Sequence, residues 1–120
     1  MGDTVKNKSF AFALRVVKLY QYLVEQKKEY VLSKQLLRSG TAVGALIREA
    51  EQAESKADFI HKMAIAQKEA NETDYWLELL YQSSLLDEKQ YNSIINDCSE
   101  ICKMLASILI TSKKNLYEKK

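Results

Sequence analysis

The sequence predicts an all-α protein, an antiparallel up-down-up-down four-helix bundle, on three observations. Proline is absent and glycine occurs only at Gly2, Gly40 and Gly44, so the turn chemistry that a sheet protein needs is missing. Apolar residues, 47% of the chain, recur at three- and four-residue steps, the period of a helix with one buried face. The polar breaks "KKEYVL", "QAES" and "SSLLD" are short, which makes sequential helices antiparallel neighbours. At 120 residues the chain fits a single domain over 1–120, with a core spanning about 9–112 and frayed ends.

The first helix is expected from about Ser9 to Glu25, with Phe10, Ala13, Leu14, Val17, Tyr20 and Val24 as its inward stripe. The second begins with Ser33 as N-cap and runs to about Ala53, turning Leu36, Val43, Ile47 and Ala50 inward. Two glycines inside it, Gly40 and Gly44, each cost about 1 kcal/mol against alanine. They point to a close approach of a neighbouring helix. The third opens with "SKAD", Ser55 capping and Asp58 reaching back, and runs to about Ser83 with Phe59, Met63, Ala66, Ala70, Leu77 and Tyr81 on one face. The fourth opens at Asp87 with Gln90 in the matching position and buries Tyr91, Ile94, Ile95, Cys98, Ile101, Leu105 and Ile108. Its end, "KKNLYEKK", is polar and expected to fray.

Several function classes are disfavoured. No apolar run of membrane-spanning length occurs and "MGDTVKNKSF" has no signal-peptide core, so the expectation is a cytoplasmic protein with no membrane partner. Cys98 and Cys102 lie four apart without C-x-x-C spacing, and His61 is the only histidine, which reads as reduced thiols and no metal. With one imidazole there is no nucleophile-base pairing, and no glycine loop for phosphate, so neither catalytic residues nor a cofactor are expected. An enzyme is therefore not predicted. A dinuclear metal site using Glu49, Glu69 and Glu72 fails on ligand count, because a second Glu-x-x-His equivalent is lacking.

The stretch "IAQKEANETDYWLELL" carries charges inside one helix. Glu69 falls among Ile65, Trp76 and Leu80, with Glu72 just beyond, while Lys68, Asn71, Tyr75 and Glu78 point away. A carboxylate at the edge of apolar surface needs a cation or a donor. Arg38, Arg48 and Lys62 all qualify by position. Arg48, Glu49, Glu69 and Glu72 are thus expected in a polar seam that fixes helix register or subunit contact.

The net charge of +2 is segregated: nine Lys/Arg and three Asp/Glu in residues 1–48 (+6), four and twelve in 49–100 (−8), five and one in 101–120 (+4). The basic first part, chiefly Arg15, Lys18, Lys27, Lys28, Lys34 and Arg38, fits a phosphate-binding surface for RNA or DNA. Tyr20, Tyr22 and Tyr30 lie near enough to stack on unpaired bases. The alternative is a protein-protein adaptor with no nucleic-acid role, in which the acidic middle of one copy meets the basic part of the next.

Residues 35–80, "QLLRSGTAVGALIREAEQAESKADFIHKMAIAQKEANETDYWLELL", resemble bacterial four-helix-bundle proteins encoded in intervening sequences of 23S ribosomal RNA genes. The most specific strings are "QLLRS", "REA", "DF" and "KEANETDYWL", and the resemblance covers about residues 9–112. Arg38, Ser39, Glu49, Lys68, Glu69, Glu72 and Trp76 match the family pattern, whereas Ala42, Leu46 and Ala50 depart from it. What the resemblance implies is a bundle assembling into a homo-oligomeric ring, usually a pentamer. The accessory variability proteins of diversity-generating retroelements share that fold and a link to RNA, which implies nucleic-acid or ribonucleoprotein binding.

Overall fold

A computed structural model describes residues 2–118 as four helices: α1 (Gly2–Glu25), α2 (Leu32–Glu51), α3 (Lys56–Gln82) and α4 (Glu88–Glu118). α1 packs on α2, α2 on α3, α3 on α4, and α4 closes against α1 in a rod of 54 × 22 × 20 Å. Contacts fix the sense of each pair. Val16 meets Gly40 while Lys6 reaches Glu51; Arg38 reaches Glu72 while Lys62 reaches Glu49. Tyr81 stacks on Tyr91 while Ala70 meets Cys98; Lys8 reaches Glu100 while Arg15 reaches Asp97. In every pair the numbers rise on one helix as they fall on the other, as in antiparallel neighbours.

Two of the helix starts follow their local sequence. Ser55 accepts a hydrogen bond from the Asp58 backbone N–H at 3.0 Å. Asp87 and Gln90 form a reciprocal capping box, each side chain accepting from the other's N–H at 2.7 and 2.9 Å. α2 starts differently from expectation. Ser33 lies inside the helix, and the cap is supplied by Glu29, whose carboxylate accepts from the N–H groups of Val31, Leu32 and Ser33 at 2.7–3.1 Å. Burial pushes the Glu29 carboxyl up, but those three donors outweigh it and hold it below the ordinary range.

The core consists of four stripes: Val5, Phe12, Val16 and Leu23 from α1; Leu36, Val43, Ile47 and Ala50 from α2; Met63, Ala66, Ala70, Leu77 and Leu80 from α3; Ile94, Cys98, Ile101 and Leu105 from α4. Each fully buried aliphatic side chain contributes about 1.5–3 kcal/mol. The α1 stripe is not the expected one. Phe10 and Leu14 are 50% and 52% exposed, and the inward set is shifted toward Val5, Ser9, Phe12 and Val16. α1 carries two apolar stripes, and α2 selects between them: a Cβ on Gly40 would sit 2.8 Å from both Val16 methyls, and one on Gly44 would sit 3.4 Å from Ser9 Oγ. The glycines are where α1 comes closest.

α1 also begins at Gly2 rather than Ser9, and Val5 is in the core. α4 continues through the polar end to Glu118, where Lys, Leu and Glu are good helix formers. Lys119 and Lys120, part of the stretch expected to fray, lie outside the described residues. No helix among the described residues is long and apolar enough to cross a membrane.

Candidate nucleic-acid interface

The charged residues fall into two contrasting regions. Between α2 and α3, Arg38 spans two carboxylates, donating from Nη1 to Glu69 Oε1 at 3.2 Å and from Nη2 to Glu72. Glu72 also accepts from the Trp76 indole N–H at 3.0 Å. The indole bond first, then Arg38, holds the Glu72 carboxyl below the ordinary range against a burial effect of opposite sign. Behind them, Thr73, fully buried, donates its hydroxyl proton to the Glu69 carbonyl at 2.8 Å and accepts from the equally buried Ser39 hydroxyl at 2.9 Å.

Arg38 is thus the cation of the seam and is largely neutralised, so it is withdrawn from the basic surface. Glu49 pairs separately with Lys62 at 3.2 Å, and Arg48 leaves the seam to lie over the Phe10 ring, 5.0 Å from its centroid. Among the described residues no three His, Cys, Asp or Glu side chains converge as metal ligands. Cys98 is buried and donates to the Ala70 carbonyl at 3.5 Å; the neighbouring Cys102 and burial push its thiol up.

α1 and α4 meet differently. Their upper halves leave an open groove of about 550 Å³ lined by Arg15, Lys18, Leu19, Tyr22, Lys89, Gln90, Ser93 and Ile94. Three cations line it and, among the described residues, no acid does. Arg15 is clamped, donating to Asp97 at 2.6 Å, to Ser93 Oγ at 2.7 Å and to the Ser93 carbonyl at 3.2 Å. Lys18 and Lys89 form no ion pair among the described residues.

Lys27 and Lys28 sit in the α1–α2 turn and Lys34 in the first turn of α2, all at the same end of the rod. Lys28 takes a left-handed φ of 54°, which lets the Glu29 N–H return to the Leu23 carbonyl at 3.0 Å and end α1. Of the acids at this end, Glu29 and Asp87 are occupied with helix N-termini, and Glu25 ends α1 two residues before Lys27. Of the basic residues expected from sequence, Arg15 and Lys18 share the groove and Lys27 lines the hollow next to it; Lys28 and Lys34 are at the same end of the rod but line neither hollow. Lys89 was missed. The signal was present, since the capping box at Asp87 puts Lys89 in the first turn of α4, opposite the last turns of α1.

Four packed helices, with one seam closed by paired charges and one groove left open and cationic, define a small four-helix-bundle protein. The chain belongs to the family of 23S rRNA-intervening sequence proteins, whose model matches residues 3–107. It is similar, at 59% identity and a TM-score of 0.89 over 90% of this chain and 96% of the other, to a solved protein with unknown function from the S23 ribosomal protein family of Bacteroides thetaiotaomicron VPI-5482. No curated protein matches.

Proposed function

We propose that the protein is a non-enzymatic, homo-oligomeric bundle that binds nucleic acid through the α1–α4 face and the adjoining turn. The observation that carries this reading is the groove with Lys18 and Lys89 on its walls, neither in an ion pair among the described residues, beside an Arg15 already paired with Asp97. Lys27, Lys28 and Lys34 extend the positive surface at that end, and repetition in an oligomer multiplies weak phosphate contacts.

A second copy of the chain covers the outer stripe of α1. Phe10 and Leu14 are half exposed there, with Arg48 over the Phe10 ring, and contact of this stripe with a different face of the next copy is the head-to-tail arrangement that closes a ring. The adaptor reading has an observation of its own, since Tyr75 on α3 and Ile110 on α4 are 56% and 70% exposed and line neither hollow.

Nuclease-treated protein, its oligomeric mass measured by light scattering, is titrated with labelled structured RNA across a salt series. Submicromolar affinity that falls steeply with salt is expected, together with loss of binding in Lys18→Glu/Lys89→Glu. An oligomer that never retains RNA at low salt would replace this reading with the adaptor. Leu14→Lys is expected to lower the oligomeric mass; an unchanged mass would move the self-contact away from the α1 stripe.

A further inference from the structure

We propose that the α1–α4 groove seats unpaired nucleotides of a single strand, an inference that rests on the nucleic-acid reading above and specifies its ligand. The groove is one of two hollows lying end to end. Each holds about 550 Å³, within the range of small-ligand sites. The second opens toward the α3–α4 turn past Lys27 and Tyr81, and the two share Tyr22 and Gln90. They adjoin at those two side chains, so the channel we infer runs past both hollows and offers room for consecutive nucleotides rather than a single free one.

The floor and walls differ in chemistry. Leu19, Ile94 and the Tyr22 ring make the floor apolar and aromatic. Tyr81 already stacks on Tyr91, with centroids 4.5 Å apart and planes 9° from parallel, whereas Tyr22 has no ring partner among the described residues. Tyr22 is half-buried against the core, and the part of it left open lines both hollows, where a base can lie against it. A duplex keeps its bases stacked within and offers only phosphates to the walls, leaving this floor uncovered. An unstacked base covers it.

The walls offer donors whose direction is already set. Gln90 Oε1 is held by the Asp87 N–H at 2.9 Å, so the free end of the amide is Nε2, a pure donor. Ser93 Oγ accepts from Arg15 at 2.7 Å, which leaves its hydroxyl proton to donate. With Lys18, Lys89 and Lys27 the channel presents ammonium, amide and hydroxyl donors. Its one acid, Asp87, is tied to the Gln90 N–H at 2.7 Å. Phosphate oxygens and base carbonyls on a flat apolar body match that set, and all three belong to a nucleotide.

The experiment measures anisotropy of a labelled single strand of about 12 nucleotides, the same sequence as a duplex, and competition by nucleoside monophosphates. The single strand is expected to bind at least about tenfold more tightly than the duplex. Gln90→Glu keeps the capping acceptor while replacing the donor with a negative oxygen, so it is expected to fold normally and to weaken the single strand about tenfold. Tyr22→Leu keeps apolar bulk and is expected to weaken the single strand while leaving duplex affinity unchanged. Equal affinity for strand and duplex, with Tyr22→Leu silent, would overturn the channel while leaving the phosphate surface standing. A monophosphate bound as tightly as the strand would overturn the strand in favour of a free nucleotide. Absence of binding by every probe would remove both readings together.

Discussion

The α2–α3 seam and the α1–α4 groove use the same kinds of residue and reach opposite states. In the seam, one arginine meets two carboxylates and a buried hydroxyl pair lies behind them. In the groove, one arginine is clamped by one carboxylate and two lysines are left with none. Polar groups in the seam have found their partners within the chain. Those in the groove have donors to spare. The lesson is that a charge count by sequence segment does not locate a binding surface; what locates it is which charges the fold leaves unneutralised.

If that contrast is right, substitutions on the α2 side change stability and substitutions in the groove do not. The largest effect is expected for Gly40→Ala. Its Cβ would sit 2.8 Å from both methyls of the stiff, fully buried Val16, so the upper end of the overpacking range, about 3 kcal/mol, applies, and roughly 1 kcal/mol gained in helix propensity leaves a net loss of about 2 kcal/mol. Urea unfolding should show the loss, and Val16→Ala in the same chain should recover part of it; a stabilised Gly40→Ala would mean that α1 can back away. Thr73→Val comes next. It leaves the Ser39 hydroxyl buried without its bond, for which about 1–2 kcal/mol is expected by the same measurement.

Arg38→Ala is expected to cost less, about 0.5–1 kcal/mol, because the guanidinium is half exposed and screened. Its pH dependence is the more telling readout. Glu72 titrates lower in the folded protein than in the unfolded chain, so its contribution is present above the ordinary carboxylate value and is lost as the pH falls through the depressed one. Arg38→Ala should reduce that acid-side loss without abolishing it, since the Trp76 N–H remains. An identical pH profile in the variant would detach Arg38 from Glu72. The smallest effect on stability belongs to Lys18→Ala/Lys89→Ala, within about 0.5 kcal/mol of the parent, as for surface residues without partners. A larger loss in thermal unfolding would show that the groove lysines hold the bundle together.

Much of this fold was legible because its signals are local. The Ser55 cap and the Asp87–Gln90 box depend on residues three apart, and both form. α2 has one apolar stripe, and Leu36, Val43, Ile47 and Ala50 are all buried. α1 has two, and periodicity cannot choose between Phe10/Leu14 and Phe12/Val16; that choice is made by glycines on another helix. The site was legible by the same rule. The seam carboxylates Glu69 and Glu72 could be found, but selecting Arg38 over Arg48 and Lys62 required the packing of α2 on α3. Thr73 escaped notice because a polar residue interrupts the apolar stripe, although its hydroxyl has two partners in the core. Lys89 belongs to the acidic part of the sequence and becomes part of a basic site only where α4 starts beside the last turns of α1.

The most direct test of the central claim is the salt dependence of single-stranded RNA binding by the parent and by Lys18→Ala/Lys89→Ala. Each phosphate contact to a single strand contributes about 0.7 to the slope of log affinity against log salt, so removing two should make the slope shallower by about 1.4, with folding unchanged. Parallel slopes for the two proteins would contradict the account, because the lysines that the fold leaves unpaired would then not be the ones that meet phosphate.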